Sequence, residues 1–173
     1  LVKPETFEEG QRELGELLGF RAGNAESDAA PDPWWLGETS GIVFEDHANA
    51  NPATVFGAEK ARQAAMHPDW IRENVPGAGD LTLTAILVTP CVKAGIGAKP
   101  ALKKLLYWSV DDFQKWAKKA IQTIRELKAK LPPHGDLFWK DEAKERLHKD
   151  GLTQSTIVSR LEKAVDVMEF VGN

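Results

Sequence analysis

Apolar residues at Phe7, Leu14, Leu17 and Leu18 recur at helical spacing, and Gly19 closes the run. Thr6 and Glu9 ahead of them have the spacing of a capping box, so a helix is predicted to begin at Thr6. Residues 20–22 read as a short strand and 23–32, small and polar, as a loop. Trp34-Trp35-Leu36 and Gly41-Ile42-Val43-Phe44 are two short apolar runs separated by Gly37-Glu38-Thr39-Ser40, the pattern of a hairpin. Asn49 to Pro52 signals a loop, and 58–66 a helix of small residues ended by His67-Pro68, with a further turn through Trp70 and Ile71. After a turn at 76–79, residues 81–88 alternate Leu and Thr and then run apolar, which predicts a partly or fully buried strand. Residues 92–100 read as a Gly/Lys/Pro loop. Ser109 then caps the clearest helix, with Phe113, Trp116, Ala117, Ala120, Ile121, Ile124 and Leu127 on one face and Lys115, Lys118, Lys119, Arg125 and Lys128 away from its centre. Helices over 139–149, stopped by Gly151, and over 154–170 are predicted to complete the chain.

The predicted order is helix, three short strands, helix, strand and a helical tail. This is an α/β pattern with about four strands in one sheet. At 173 residues the chain fits a single domain, 1–173, with a core over 5–90 and the basic helix and tail over 109–171. Its first residue is Leu rather than Met, which suggests a piece of a longer protein. No apolar run approaches the ~20 residues needed to span a bilayer, and no secretory pattern opens the chain. The single cysteine, Cys91, lies at the end of an apolar run and reads as a plain buried thiol, which points to a reducing, cytoplasmic compartment.

The net charge of −4 argues against a nucleic-acid binder, but the average conceals an asymmetry. Residues 1–60 hold 4 Lys+Arg against 12 Asp+Glu, whereas residues 99–130 hold 9 against 3. An acidic front and a basic middle suit a divalent-metal site beside a surface that meets phosphate; two solvated faces of opposite sign are the plainer reading.

Hydrolysis of a phosphodiester at neutral pH calls for a cation that activates water and neutralises charge growing on phosphorus. Hard cations such as Mg²⁺ take one or two carboxylates and keep water in the remaining positions. Asp32 opens the first arm of the predicted hairpin and Glu45 ends the second, with 12 residues between them. Pro31-Asp32, the hairpin and Glu45-Asp46-His47 resemble the signature of the PD-(D/E)XK nucleases, Pro-Asp, a hairpin and Asp/Glu-x-Lys. That family's core of helix, three strands, helix and strand is followed in order by residues 5–88. Gln63, within Lys60-Ala61-Arg62-Gln63, sits where several branches place a Gln on the second helix. The stretches IVFEDHA and KARQAAMHPDWI are most similar to restriction-endonuclease-like domains associated with bacterial helicases.

The resemblance implies a restriction-endonuclease-like core with a helical C-terminal extension, and an Mg²⁺-dependent DNA nuclease in which Mn²⁺ could substitute. Asp32 and Glu45 would ligate the metal with the backbone carbonyl of Asp46, Gln63 would orient water or a phosphate oxygen, and Glu8 on the first helix is a further ligand candidate. His47 stands where the family usually has Lys. A neutral imidazole can still accept a proton, but it brings less positive charge, so activity is expected to be reduced, shifted in pH or absent. The implied partners are DNA, contacted by Lys60, Arg62, Lys93, Lys99, Lys103 and Lys104, and a helicase domain in the same or a partner chain; a homodimer would present two sites to a duplex. Three alternatives stay open. Asp32 before Pro33 is also an ordinary turn residue. His47 and His67 could form a transition-metal site with Glu45. A nuclease-like fold without chemistry would serve as a nucleic-acid-binding or assembly module.

Overall fold

The structure is a computed structural model that describes residues 4–25, 30–133 and 135–172. Residues 26–29 of the first loop, and His134, read from the sequence as a surface residue, lie outside the described residues.

The chain begins with α1 (Pro4–Leu17), which turns into β1 (Arg21–Gly23). Thr6 and Glu9 therefore lie inside the helix instead of capping it. Proline at the start supplies a preset φ where no intrahelical N–H partner is needed, and Glu9 is drawn into a two-pronged pair with Arg12. Gly19, at φ 89°, ends α1 in the left-handed region, with Phe20 N–H donating to Gly15 O and Gly19 N–H to Glu16 O. Phe7, Leu14 and Leu18 enter the core as the periodicity predicts, but Leu17 is exposed.

β2 (Trp34–Leu36) and β3 (Ser40–Asp46) form the predicted hairpin, with Trp34 opposite Val43 and Leu36 opposite Gly41. β1 pairs antiparallel on the outer side of β2. After β4 (Val55–Phe56), the helix α2 (Ala58–Asn74) returns along the sheet to β5 (Thr82–Val88), which pairs parallel with β3 over its full length. The sequence ended this helix at His67, yet it continues through Pro68. Proline in a helix interior costs about 3 kcal/mol, and Ile71, fully buried one turn later, keeps the second half docked.

The stretch read as a loop holds β6 (Lys93–Gly95), a 3₁₀ turn (Ile96–Ala98) and the short helix α3 (Lys99–Leu102). β7 (Leu106–Trp108) adds a third parallel strand beside β5 and leads into α4 (Val110–Ala129), capped as expected by Ser109 accepting from Asp112 N–H. Ser109→Ala should cost about 1 kcal/mol, measurable by urea denaturation. α5 (Leu137–Lys149) and α6 (Gln154–Ser159) follow. The predicted single helix over 154–170 is broken. β8 (Glu162–Lys163) pairs antiparallel with β7, α7 (Ala164–Val167) intervenes, and β9 (Glu169–Val171) pairs parallel with β6. The open edges of β7 and β6 offer backbone partners that outcompete helical periodicity here.

The result is a mixed α/β architecture with a six-stranded mixed sheet, β1-β2-β3-β5-β7-β8, and a small parallel sheet, β4-β6-β9, in place of one sheet of about four strands. α1 and α4 cover one face, packing Leu14, Phe113 and Trp116 on Trp35, Ile42, Phe44 and Ile86. α2 and α3 cover the other, where the alanines of α2 sit on Ala85 and Leu87. A Cβ on Gly15 would overlap the Trp35 indole, so glycine there lets α1 lie close on β2. Among the described residues no helix is long and apolar enough to cross a membrane.

Candidate active site

β3 and β5 run parallel, so the C-terminal end of the central sheet brings Glu45 beside Leu87 and Asp46 beside Val88. Neighbouring residues on a strand project to opposite faces, and Glu45 and Asp46 divide the end of β3 between the two helical layers. Glu45 turns toward α2. Its Oε1 lies 2.8 Å from His47 Nε2 and its Oε2 2.5 Å from His67 Nε2. For an ionised Glu45, both imidazoles must present their Nε2–H. His67 is 1% exposed and Glu45 6%, while His47 is partly open to solvent with its ring edge-on to Phe56. Burial alone would raise the Glu45 carboxyl, but hydrogen bonds from His47 and His67 outweigh it and hold the group at about 2.

Asp46 turns toward α1. Both its carboxyl oxygens are buried without a hydrogen-bond partner among the described residues, and so are both polar atoms of the Gln11 side chain. The Gln11 amide is close enough to favour the ionised Asp46 carboxyl, but no hydrogen bond of ordinary geometry joins the two. Burial foremost, then the charges of Asp32 and Glu8, push the Asp46 carboxyl well above the usual range. Asp32 lies just before β2, between the two layers. Its Oδ2 accepts the Asp46 backbone N–H, while burial, with Glu45 and Glu8 adding to it, lifts its carboxyl from 3.8 to about 6. Glu8, also touched by Asn24 at 3.5 Å, lines a solvent cleft of about 200 Å³ together with Phe7, Asp46, His47 and residues 48–50.

Asp32, Glu45, Asp46, His47 and Glu8 are thus brought to one end of the sheet. Gln63 lies one turn before His67 and is half-buried, but among the described residues its side chain makes no hydrogen bond; His67 makes the contact with Glu45 instead. Gln11 went unread in the sequence, although it was detectable as a polar residue on the apolar stripe of Phe7, Leu14 and Leu18.

The cationic residues divide. Lys60 and Arg62 are exposed on the first turns of α2. Lys93 approaches Glu169 at 4.0 Å, and Lys99 lies over the Phe170 ring, so both are engaged with β9. Lys103 and Lys104 line a groove with Leu83, Thr84 and Ala85, at the opposite end of the parallel strands from Glu45. They lie in the turn between α3 and β7, before the parallel strand reaches the level of Glu45. Trp35 is fully buried, its Nε1 donating to Gln11 O at 3.0 Å, and Trp34 is half-buried beneath Arg21. His148 is exposed.

Among the described residues no three His, Cys, Asp or Glu side chains converge as a metal cluster. A hard cation can, however, be held by two carboxylates and water. Compared with protein-family models, with curated proteins and with solved structures, the chain matched none.

Proposed function

We propose that this chain is a metal-dependent nuclease domain of the PD-(D/E)XK type, hydrolysing DNA phosphodiester bonds beside a helicase domain. The observation that carries the reading is that Asp32 is tied to the Asp46 backbone N–H, next to Glu45 at the end of a strand hairpin whose Asp46 and His47 line a solvent cleft. The order α1, three antiparallel strands, α2 and a parallel fourth strand on β3 supports it as a restriction-endonuclease-like core.

The donor set fits a hard divalent cation. Asp32 Oδ1 makes no hydrogen bond among the described residues, and each Glu45 oxygen has a lone pair left after its bond to an imidazole. Asp32 and Glu45 would hold Mg²⁺ or Mn²⁺, which when bound would supply charge neutralisation and a more acidic water. Glu45 stays ionised across the working pH range because its histidines hold it so. His47 lines the cleft, where its imidazole can take a proton from an incoming nucleophile, the part the family gives to Lys. His67 fixes the Glu45 carboxylate from the buried side. Lys60 and Arg62 remain the candidates for phosphate contact near this end of the sheet.

A second reading is a module of the same fold that binds DNA or a partner without cutting. The engagement of both Glu45 oxygens by imidazoles favours it. The two readings part on incubation with supercoiled and linear DNA in Mg²⁺, Mn²⁺ or chelator. Metal-dependent cleavage abolished by Glu45→Ala is the expected result. Cleavage that persists in a clean Glu45→Ala preparation would overturn the nuclease reading, and binding without cleavage under either metal would favour the second.

A further inference from the structure

At the end of the sheet away from Glu45, one edge of β5 is left half uncovered. β5 pairs with β3 from Thr82 onward, but with β7 only from Ile86, opposite Leu106. Thr82 to Ala85 therefore have a strand neighbour on one side alone. Thr82 N–H donates to Thr39 O at 3.1 Å on the β3 side, and Thr89 N–H donates to Trp108 O at 3.2 Å on the β7 side. Successive residues of a strand send their backbone groups to opposite neighbours, so Leu83 and Ala85 share the direction of Thr89. The Leu83 N–H and C=O and the Ala85 N–H thus point to where β7 has not yet begun, and among the described residues no backbone partner meets them. They face a groove of about 450 Å³. Its walls come from opposite layers, Ala65 of α2 on one side and Val158 of α6 on the other. A slot beside an open strand edge, bounded by both helical layers, has the form of a missing strand segment.

The charge of the groove says what kind of segment fits. Lys103, Lys104 and Lys163 line it, all exposed, and among the described residues no carboxylate pairs with any of them. Asp69, which also lines it, is already engaged by Arg72 at 2.7 Å. We propose that an extended, acidic peptide segment of a partner protein docks here as an added strand on β5, its carboxylates held by Lys103, Lys104 and Lys163. Backbone hydrogen bonds to Leu83 and Ala85 would set its register, and the lysines would select its charge. A nucleic-acid strand answers the same lysines but not the same edge. Phosphate oxygens only accept, so they would leave the Leu83 carbonyl without a donor, and the groove lining has no aromatic ring on which a base could stack. The groove shares no residue with the Asp32–Glu45 site, so the inference stands apart from the nuclease reading.

The test is titration of the whole chain with a fluorescent octapeptide that alternates Glu and Val, followed by anisotropy and by amide hydrogen exchange in NMR spectra. Three further probes are compared: the same peptide with Lys for Glu, the acidic peptide N-methylated at alternate residues, and an oligothymidylate. The acidic peptide is expected to bind and to slow exchange at the Leu83 and Ala85 amides. N-methylation should abolish binding, because it removes the donors that the β5 edge needs, and the Lys peptide should not bind. Lys103→Glu combined with Lys104→Glu should weaken the acidic peptide about tenfold or more. Both lysines are exposed, and circular dichroism confirms that the variant is folded. Absence of binding by the acidic peptide would overturn the proposal. So would binding that survives N-methylation, or that leaves exchange at Leu83 and Ala85 unchanged, since either would reduce the groove to a patch of charge. Oligothymidylate binding that protects the same two amides and is lost in the double variant would assign the groove to nucleic acid instead.

Discussion

Replacing His67 by alanine is expected to lower folding stability by about 3 kcal/mol at neutral pH, against about 1 kcal/mol for His47→Ala. Both imidazoles meet the same carboxylate, at 2.5 and 2.8 Å, so the contacts alone do not separate them. Burial does. The His67 side chain is 2% exposed and the His47 side chain 23%. When His67 is removed, Glu45 Oε2 is left without a donor where water has little access, and a cavity the size of an imidazole opens within α2. When His47 is removed, solvent from the cleft can replace its N–H. Urea unfolding of the two variants measures the difference, and equal losses would show that the buried contact has no special weight. Acid adds a second readout. The Glu45 carboxyl is lowered from 4.5 to about 2, so its contribution is present above pH ~4.5 and is lost as pH falls toward 2. His67→Ala should flatten that acid limb.

The same pair shows what the sequence could and could not disclose. Asp32 and Glu45 were legible because a strand hairpin brings its two ends together whatever lies between, and the helix, three strands, helix and strand follow from apolar runs long enough to count. His67 was visible as a residue four positions after Gln63, but its role depended on α2 running unbroken through Pro68, which the local rule for proline denies. The small parallel sheet was out of reach. Its strands have two or three residues, too few for a period, and β6 and β9 meet across more than seventy positions of chain. The tail failed for a related reason, since Ile157, Leu161, Ala164 and Met168 keep helical spacing while the edges of β7 and β6 capture the backbone between and beyond them. Strand alternation at Glu45 and Asp46 was available from the outset. It implied that Asp46 must face α1, yet the resemblance to a known signature drew notice to its backbone carbonyl instead.

Asp32→Asn is expected to stabilise the protein by about 2–3 kcal/mol at pH 7.5 while abolishing metal-dependent cleavage, and to have no effect on stability near pH 4. In the fold the Asp32 carboxyl rises from 3.8 to about 6, because ionisation there is opposed first by burial and then by Glu45 and Glu8. A raised folded value means that the native state holds the proton after the unfolded chain has released it. Stability is therefore full below pH ~4 and falls as pH rises through ~6, by about 3 kcal/mol for a rise of this size. Glu45 acts in the opposite direction at lower pH, so the two together place the stability maximum of the metal-free protein on the acid side, near pH 4–5. Asparagine keeps an oxygen to accept the Asp46 N–H but carries no charge to desolvate. Thermal unfolding of both proteins from pH 4 to 8 tests this. A wild-type profile that is flat across pH 4–6, or an Asp32→Asn variant less stable at pH 7.5, would show that the carboxylate is not strained. Adding Mn²⁺ at pH 7.5 should raise the wild-type Tm and leave the variant nearly unmoved, since a ligand stabilises only the state that binds it. A carboxyl whose ionisation is opposed by burial and by neighbouring carboxylates is one whose charge a divalent cation, if bound there, would offset. The Tm response to Mn²⁺ and the pH profile should therefore change together in Asp32→Asn.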